Sequence, residues 1–472
     1  MPIFYRRIPI ILLIEVESSE SFFSTSREEV YKRNCCGSKK RPAMTREDVV
    51  IESVVIWLYN KVVVLCKKSL LVNEKNKMDC YGKDVLIEII DRKGEYRNTL
   101  AVSDFSRVFD NMATCYKLYW LEAIIELLLK NDRTIYSLTE IIDVMISNAW
   151  YTVREYHLKM GTVYGLTTRK NGIEEAVNDL ASISGLENNA TQEQILEKLK
   201  AFNSDEKLLK DKSKLMTEVP FHFLSPFFDP TRRKELRKWH FDRSVKEINK
   251  RNSELELPYH FVQDDLGNTC IEMSPNWCQF FIDSNVTILG WIKYEKIQYL
   301  QKRNSTVGGI IYKLDPYKEN KRELQKVRKL WNTVIECTPV LDIYTDQEIV
   351  LGKYDVDHFI PWSYISNNEL WNLIPTDHII NIQKSNCLPE WNRYFRSFGH
   401  NQYLLSRQIY QNEATYRLFC DCLEENLQSY WGKEQLYVQG IREPEFLMVL
   451  EKNLRTHYEA AKRQGFEIWT KN

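Results

Sequence analysis

Between Tyr354 and Pro389 five polar residues stand at intervals that suit hydrolytic chemistry. Asp357 adjoins His358, Asn372 follows fourteen positions after the histidine, Asn381 comes nine later, and Lys384 three beyond that. A hard divalent cation such as Mg²⁺ takes oxygen ligands and keeps several of its waters. The Asp357 carboxylate and the Asn381 amide carbonyl supply two such ligands and leave room for a phosphate. His358 titrates near neutral pH and could take a proton from an attacking water. The cation would offset charge on the departing oxygen. Asn372 could hold the loop and orient the histidine by hydrogen bonding. The set suits metal-assisted cleavage of a phosphodiester, with Mg²⁺ or Mn²⁺ as cofactor.

Three elements must position these groups. Asp357 and His358 end a strand-like run, Tyr354-Asp355-Val356-Asp357-His358, and Asn372 opens a second apolar run, Leu373-Ile374-Pro375-Thr376. Asp377 is placed to cap a helix, and residues three apart on a helix share a face, so Asn381 and Lys384 would project together. The pattern reads strand, loop, strand, helix.

That stretch resembles the His-Asn-His, or ββα-metal, family of endonucleases. Its spacing is similar to that of the HNH domain of the RNA-guided CRISPR effector nucleases, where a Tyr-Asp-Val-Asp-His run is also followed by Asn, Asn and Lys-Ser. Five polar positions fall into register, as do two Pro-containing turns, Ile360-Pro361 and Ile374-Pro375. The flanks, Tyr299 to Asn304 and Leu388-Pro389, look instead like stand-alone bacterial HNH proteins. The resemblance implies that Asp357 and Asn381 bind the metal, that His358 is the general base, that Asn372 braces the loop and that Lys384 lies near the phosphate. It implies an endonuclease nicking double-stranded DNA, in bacterial restriction or anti-phage defence, with a homodimer or a partner of a defence system needed for double-strand breaks. Two alternatives stay open: a nucleic-acid-binding protein with a non-catalytic HNH scaffold, and a homing endonuclease. A secreted toxin fits less well, because some eighty residues follow the motif. Many HNH domains carry two Cys-x-x-Cys pairs around a structural zinc. This chain has no such pair among its 11 cysteines, so no structural zinc is expected.

The totals fit a soluble, cytoplasmic protein of several domains. There are 472 residues, 43% hydrophobic and 28% charged, and Lys+Arg balances Asp+Glu at 65 each. No stretch reaches the roughly 18 apolar residues of a membrane span. Irregular cysteine spacing suits reduced thiols. Zero net charge leaves nucleic-acid affinity to local basic surface. Residues 341–400 hold eight acids against four bases, so that surface must lie beside the motif. Residues 231–251, with nine Lys/Arg against three Asp/Glu, and 318–329, with six against two, are the candidates. Arg232, Arg233, Arg237 and Lys238 are the DNA-binding residues expected from the first run, and Arg393 and Arg396, which follow the motif beyond Lys384, are expected beside them. Either these runs are a DNA track or they are solvated helix faces.

The expected fold is mainly α with a small α+β nuclease domain. Residues 1–43 read as a disordered extension, 44–230 as a helical domain and 231–330 as a basic connecting region of mixed α/β. Residues 331–400 read as the nuclease domain and 401–472 as C-terminal helices. Thr45 to Asp48 could cap a helix, and Val54 to Leu65 is strongly apolar. Lys117 to Lys130 is apolar nearly all round and predicts a buried helix. Ser137 to Glu140 and Thr191 to Gln194 have capping-box spacing. Pro220, Pro226 and Pro230 bracket an expected aromatic-rich loop, with packing preferred to nucleotide stacking for its phenylalanines. Phe261 to Glu272 predicts a hairpin, and Trp277 to Gln301 a mixed segment.

Overall fold

The computed structural model describes residues 86–470, apart from 92–93, 111, 165–166, 170, 237–239, 306, 315–323, 425 and 427. The expectations for residues 1–43, Thr45 to Asp48 and Val54 to Leu65 lie outside the described residues. The architecture is mainly helical with small sheets. No helix among the described residues is long and apolar enough to cross a membrane.

The first half is built on helix α1, Tyr116–Lys130, where nine of fifteen side chains are buried. Strand β1, Ile135–Ser137, leads into α2, Leu138–Trp150, and the Ser137 side chain accepts the Glu140 amide. That bond satisfies one of the donors a helix start leaves unpaired. A five-residue π-helix, Tyr151–Glu155, continues α2. Next come α3, Gly172–Ser184, and α4, Gln192–Ala201, whose Thr191–Gln194 capping box is complete. Helix α5, Glu206–Leu224, is followed by α6, Phe241–Glu254.

The aromatic loop expected between Pro220 and Pro230 is instead mostly helical. Pro220 lies inside α5, and Ser225–Phe227 form a 3₁₀ turn. Phe221 and Phe223 belong to the buried face of α5, and the Phe221 ring stacks on Phe261 at 5.1 Å. Burying these rings outweighs the hydrogen bond that proline removes from the helix.

Strands β2, Tyr259–Gln263, and β3, Thr269–Met273, form the expected hairpin, with Gly267 at φ +80° in the turn. A positive φ there suits a residue without Cβ. Strand β1 adds to β3, completing a three-stranded antiparallel sheet. The segment expected to be mixed is two helices, α7 (Pro275–Asp283) and α8 (Asn285–Arg303). Neither carries the apolar–polar alternation of a strand. Trp277, Phe280 and Phe281 pack at helical spacing into the aromatic core.

The second half begins with α9, Gln325–Cys337. Strands β4, Asp355–His358, and β5, Leu373–Thr376, pair antiparallel, with His358 opposite Leu373 and Asp357 opposite Ile374. Pro375 lies within β5, opposite Val356, and not in a turn. A two-stranded ladder tolerates it because a proline N–H is needed only on a paired edge. Helix α10, His378–Lys384, follows, and the Asp377 side chain accepts the amides of Ile379 and Ile380. Helices α11 (Trp391–Ile409), α12 (Glu413–Leu423) and α13 (Glu443–Gln464) follow, with α11 packed on β5 and α12 on α9 and α11. From α11 the buried Gln402 donates to the carbonyls of Leu370 and Leu373, which ties it to the approach to β5.

Side chains also tie the second half to the first. Asn386, two residues beyond α10, donates to the Glu155 carbonyl at 2.8 Å and accepts from Ser363. Gln464 donates to the Tyr156 carbonyl at 2.9 Å, and the His157 and Phe466 rings lie 4.5 Å apart. The described residues lie in one compact unit.

Candidate active site

Strand alternation puts Asp355 and Asp357 on one face of β4, and the start of α10 brings Asn381 to that face. The two carboxylates have very different surroundings. Asp357 is buried, with 5% of its side chain exposed. Its Oδ1 accepts from Lys384 Nζ at 3.0 Å and its Oδ2 from the Tyr344 hydroxyl at 2.8 Å. Burial, and then the neighbouring Asp357 carboxylate, push the Tyr344 phenol well above its usual range, so it stays protonated and donates. Lys384 also donates to the His358 carbonyl at 2.8 Å. One buried ammonium thus clasps both members of the Asp-His pair from the last turn of α10.

Asp355 is more open, at 30% exposure. Its Oδ2 lies 2.7 Å from His378 Nδ1 and 3.3 Å from Asn381 Nδ2. Its Oδ1 stands 3.8 Å from Arg328 Nη2 on α9. Asn381 is half-buried and His378 exposed. This polar mouth opens beside the buried Asp357–Lys384 pair.

His358 is buried at the end of β4. Asn372 is wholly buried and braces the following loop. Its side-chain amide donates to the Ile360 carbonyl and its side-chain oxygen accepts the Ile360 amide, both at 2.8 Å. Its own carbonyl takes the Phe359 amide at 2.8 Å. These bonds fix the turn that carries the chain away from His358.

The five motif residues of the sequence therefore gather at one ββα junction, with Lys384 inside it and not at its surface. Of the expected basic runs, 318–329 brings Arg328 to the site. Arg233 donates to the carbonyls of Phe228 and Pro226, and Arg232 pairs with Asp229 at 3.8 Å, contacts that stay within the first half. Arg237 and Lys238 lie outside the described residues, as does 318–323. Arg393 and Arg396 are exposed on α11.

Asp355, His378 and Tyr344 carry no role in the sequence reading, and Arg328 enters it only as a member of the basic run 318–329. Asp355 and His378 were legible in principle, the first by its i, i+2 relation to Asp357 and the second by its place in the first turn of α10. Tyr344 and Arg328 come from outside the strand–loop–strand–helix pattern. Asp342 has a structural part: its Oδ2 accepts the Thr376 hydroxyl at 2.7 Å and the Asp377 amide at 2.6 Å, which fixes the junction of β5 with α10.

Oxygen donors predominate here, from Asp355, Asp357 and the Asn381 amide, and that chemistry fits a hard divalent cation better than a thiophilic one. Among the described residues no three His, Cys, Asp or Glu side chains converge as a metal-binding group.

Residues 342–390 match a family model described as HNH endonuclease. That segment is a member of the HNH superfamily, and its ββα architecture agrees with the match. Neither the curated proteins nor the solved structures include a match to the chain.

Proposed function

We propose that the ββα unit is a metal-dependent endonuclease that cleaves phosphodiester bonds of DNA by water attack. The observation that carries this reading is the junction itself. Two carboxylates and the Asn381 side-chain amide gather beside β4 and one short helix, with His358 ending the same strand, inside the segment that matches the HNH family.

Asp357 and Asn381 would hold Mg²⁺ or Mn²⁺. The cation supplies compensation of negative charge at the phosphate and the leaving oxygen. His358 accepts the proton of the attacking water, becoming imidazolium, and Asn372 keeps the Phe359–Ile360 turn behind it rigid. Lys384 and Tyr344 fix the Asp357 carboxylate by one bond to each oxygen. Double-stranded DNA is the proposed substrate, and cutting foreign DNA in a bacterial defence system is the proposed setting.

Supercoiled plasmid incubated with Mg²⁺, Mn²⁺ or EDTA tests the reading. Nicked circles should form with either cation and not with EDTA. Absence of metal-dependent nicking on modified and unmodified plasmid alike would remove the proposal.

A further inference from the structure

A phosphate entering this site needs a cation beside it, and the motif's own lysine is committed elsewhere. Lys384 has 1% of its side chain exposed, and its Nζ is bonded to Asp357 Oδ1 and the His358 carbonyl. Reaching a phosphate would break both bonds and leave a buried carboxylate uncompensated, a costly change. Residues 341–400 are also net acidic, so the segment supplies little attraction for a polyanion itself.

Arg328 stands where such a cation is wanted. It belongs to α9, outside the family match, and has 39% of its side chain exposed. One edge of its guanidinium is fixed, with Nη1 donating to the Tyr354 carbonyl at the start of β4. The guanidinium lies over the Tyr354 ring, 5.0 Å from its centre. The Tyr354 hydroxyl sits 3.1 Å from the Arg328 carbonyl and 2.7 Å from Asn332 Oδ1, closing a clasp between helix and strand. A side chain already held in one geometry loses less entropy when it binds a ligand. The other edge is held only by a long ion pair: Nη2 faces Asp355 Oδ1 at 3.8 Å, too far for a hydrogen bond. Asp355 in turn touches Asn381, so that edge points into the mouth where the substrate phosphate would lie.

We propose that Arg328 is a catalytic residue that binds a non-bridging oxygen of the scissile phosphate. The proposal rests on the nuclease reading above. A planar guanidinium can present two N–H donors to phosphate oxygens, which a lysine cannot match in geometry. Asp355 holds that edge at a distance until a phosphate displaces the pairing.

The test compares wild type with Arg328→Ala and Arg328→Lys. Nicking rate at saturating plasmid is measured with Mg²⁺, DNA affinity is measured in EDTA, and melting temperature is followed throughout. Removal of one preorganised donor should lower the saturated rate by about 10²–10³-fold, and affinity far less. Arg328→Lys should bind like wild type and nick slowly. Free guanidinium at sub-denaturing concentration should restore part of the Arg328→Ala rate. Wild-type nicking by Arg328→Ala would overturn the proposal. So would a rate loss that follows a fall in melting temperature and resists guanidinium. An inert wild type would overturn the nuclease reading and this inference with it.

Discussion

Lys212 in the helical first half and Lys384 in the ββα unit are both almost wholly buried, and each ends on a carboxylate. Lys212 Nζ lies 2.7 Å from Asp143 Oδ1, and Lys384 Nζ lies 3.0 Å from Asp357 Oδ1. The first pair is closed in by helices α2, α4 and α5, with Asn203 as a further acceptor at 3.2 Å. Burial pushes the Asp143 carboxyl up, and Lys212 pulls it part of the way back. Nothing about that pair suggests chemistry. The second pair has the same construction but a different neighbourhood: a histidine on the same strand end, and a half-open Asp355 shared with Asn381, His378 and Arg328. A buried lysine–aspartate pair therefore does not by itself mark a site. What marks a candidate site is the polar mouth beside it.

The comparison breaks most sharply at His358. His358→Ala should lower the metal-dependent nicking rate by about 10²–10⁴-fold while the melting temperature stays close to wild type. Wild-type-like nicking would reduce the second pair to scaffolding like the first.

Neutralising the lysines comes next. Lys212→Met and Lys384→Met each strand a buried carboxylate and should each cost about 3–5 kcal/mol in urea unfolding. At a temperature where both variants remain folded, only Lys384→Met should lose nicking. Equal retention of activity would mean that the Asp357 carboxylate needs no positioning by Lys384.

A smaller effect concerns the exposed basic residues. If Arg393 and Arg396 contact DNA phosphates, replacing both by Gln should lower the salt slope of log K by roughly 0.9 for each contact. The check is DNA affinity measured across a salt series, and an unchanged slope would assign both to solvated helix surface.

A last effect, on stability alone, is at the joint between the two halves. Burial holds the His157 imidazole at a pKa of about 4, below the ordinary histidine value of 6.5. Between those pH values the unfolded chain binds a proton that the folded chain refuses. The stability that neutral His157 provides is therefore complete above about pH 6.5 and lost as pH falls toward 4, by at most ~1.4 kcal/mol per pH unit. His157→Asn, which tolerates the positive φ of 49° there, should melt with a flatter acid limb than wild type. Parallel melting curves from pH 7 to 4 would place the acid sensitivity elsewhere.

The sequence alone determined the parts of this site that depend on local geometry. Asp377 could be recognised as a cap, and the three-residue spacing then put Asn381 and Lys384 on one helical face. Strand alternation likewise related Asp355 to Asp357. Such relations are set within a few residues by backbone periodicity, so they survive whatever the rest of the chain does. The buried helix at Tyr116–Lys130 and the hairpin around Gly267 were legible for the same reason. The proline-bracketed aromatics were not, because turn residues forbid a helix only until enough apolar surface is buried by forming one. Tertiary structure alone decided that Lys384 turns inward to Asp357, that Tyr344 takes the other oxygen, and that Arg328 reaches Asp355 across 27 positions of sequence. A charge count cannot separate a lysine at a phosphate from a lysine in a core. That difference lies in which side chains the packing of α9, α10 and α11 leaves in contact with water.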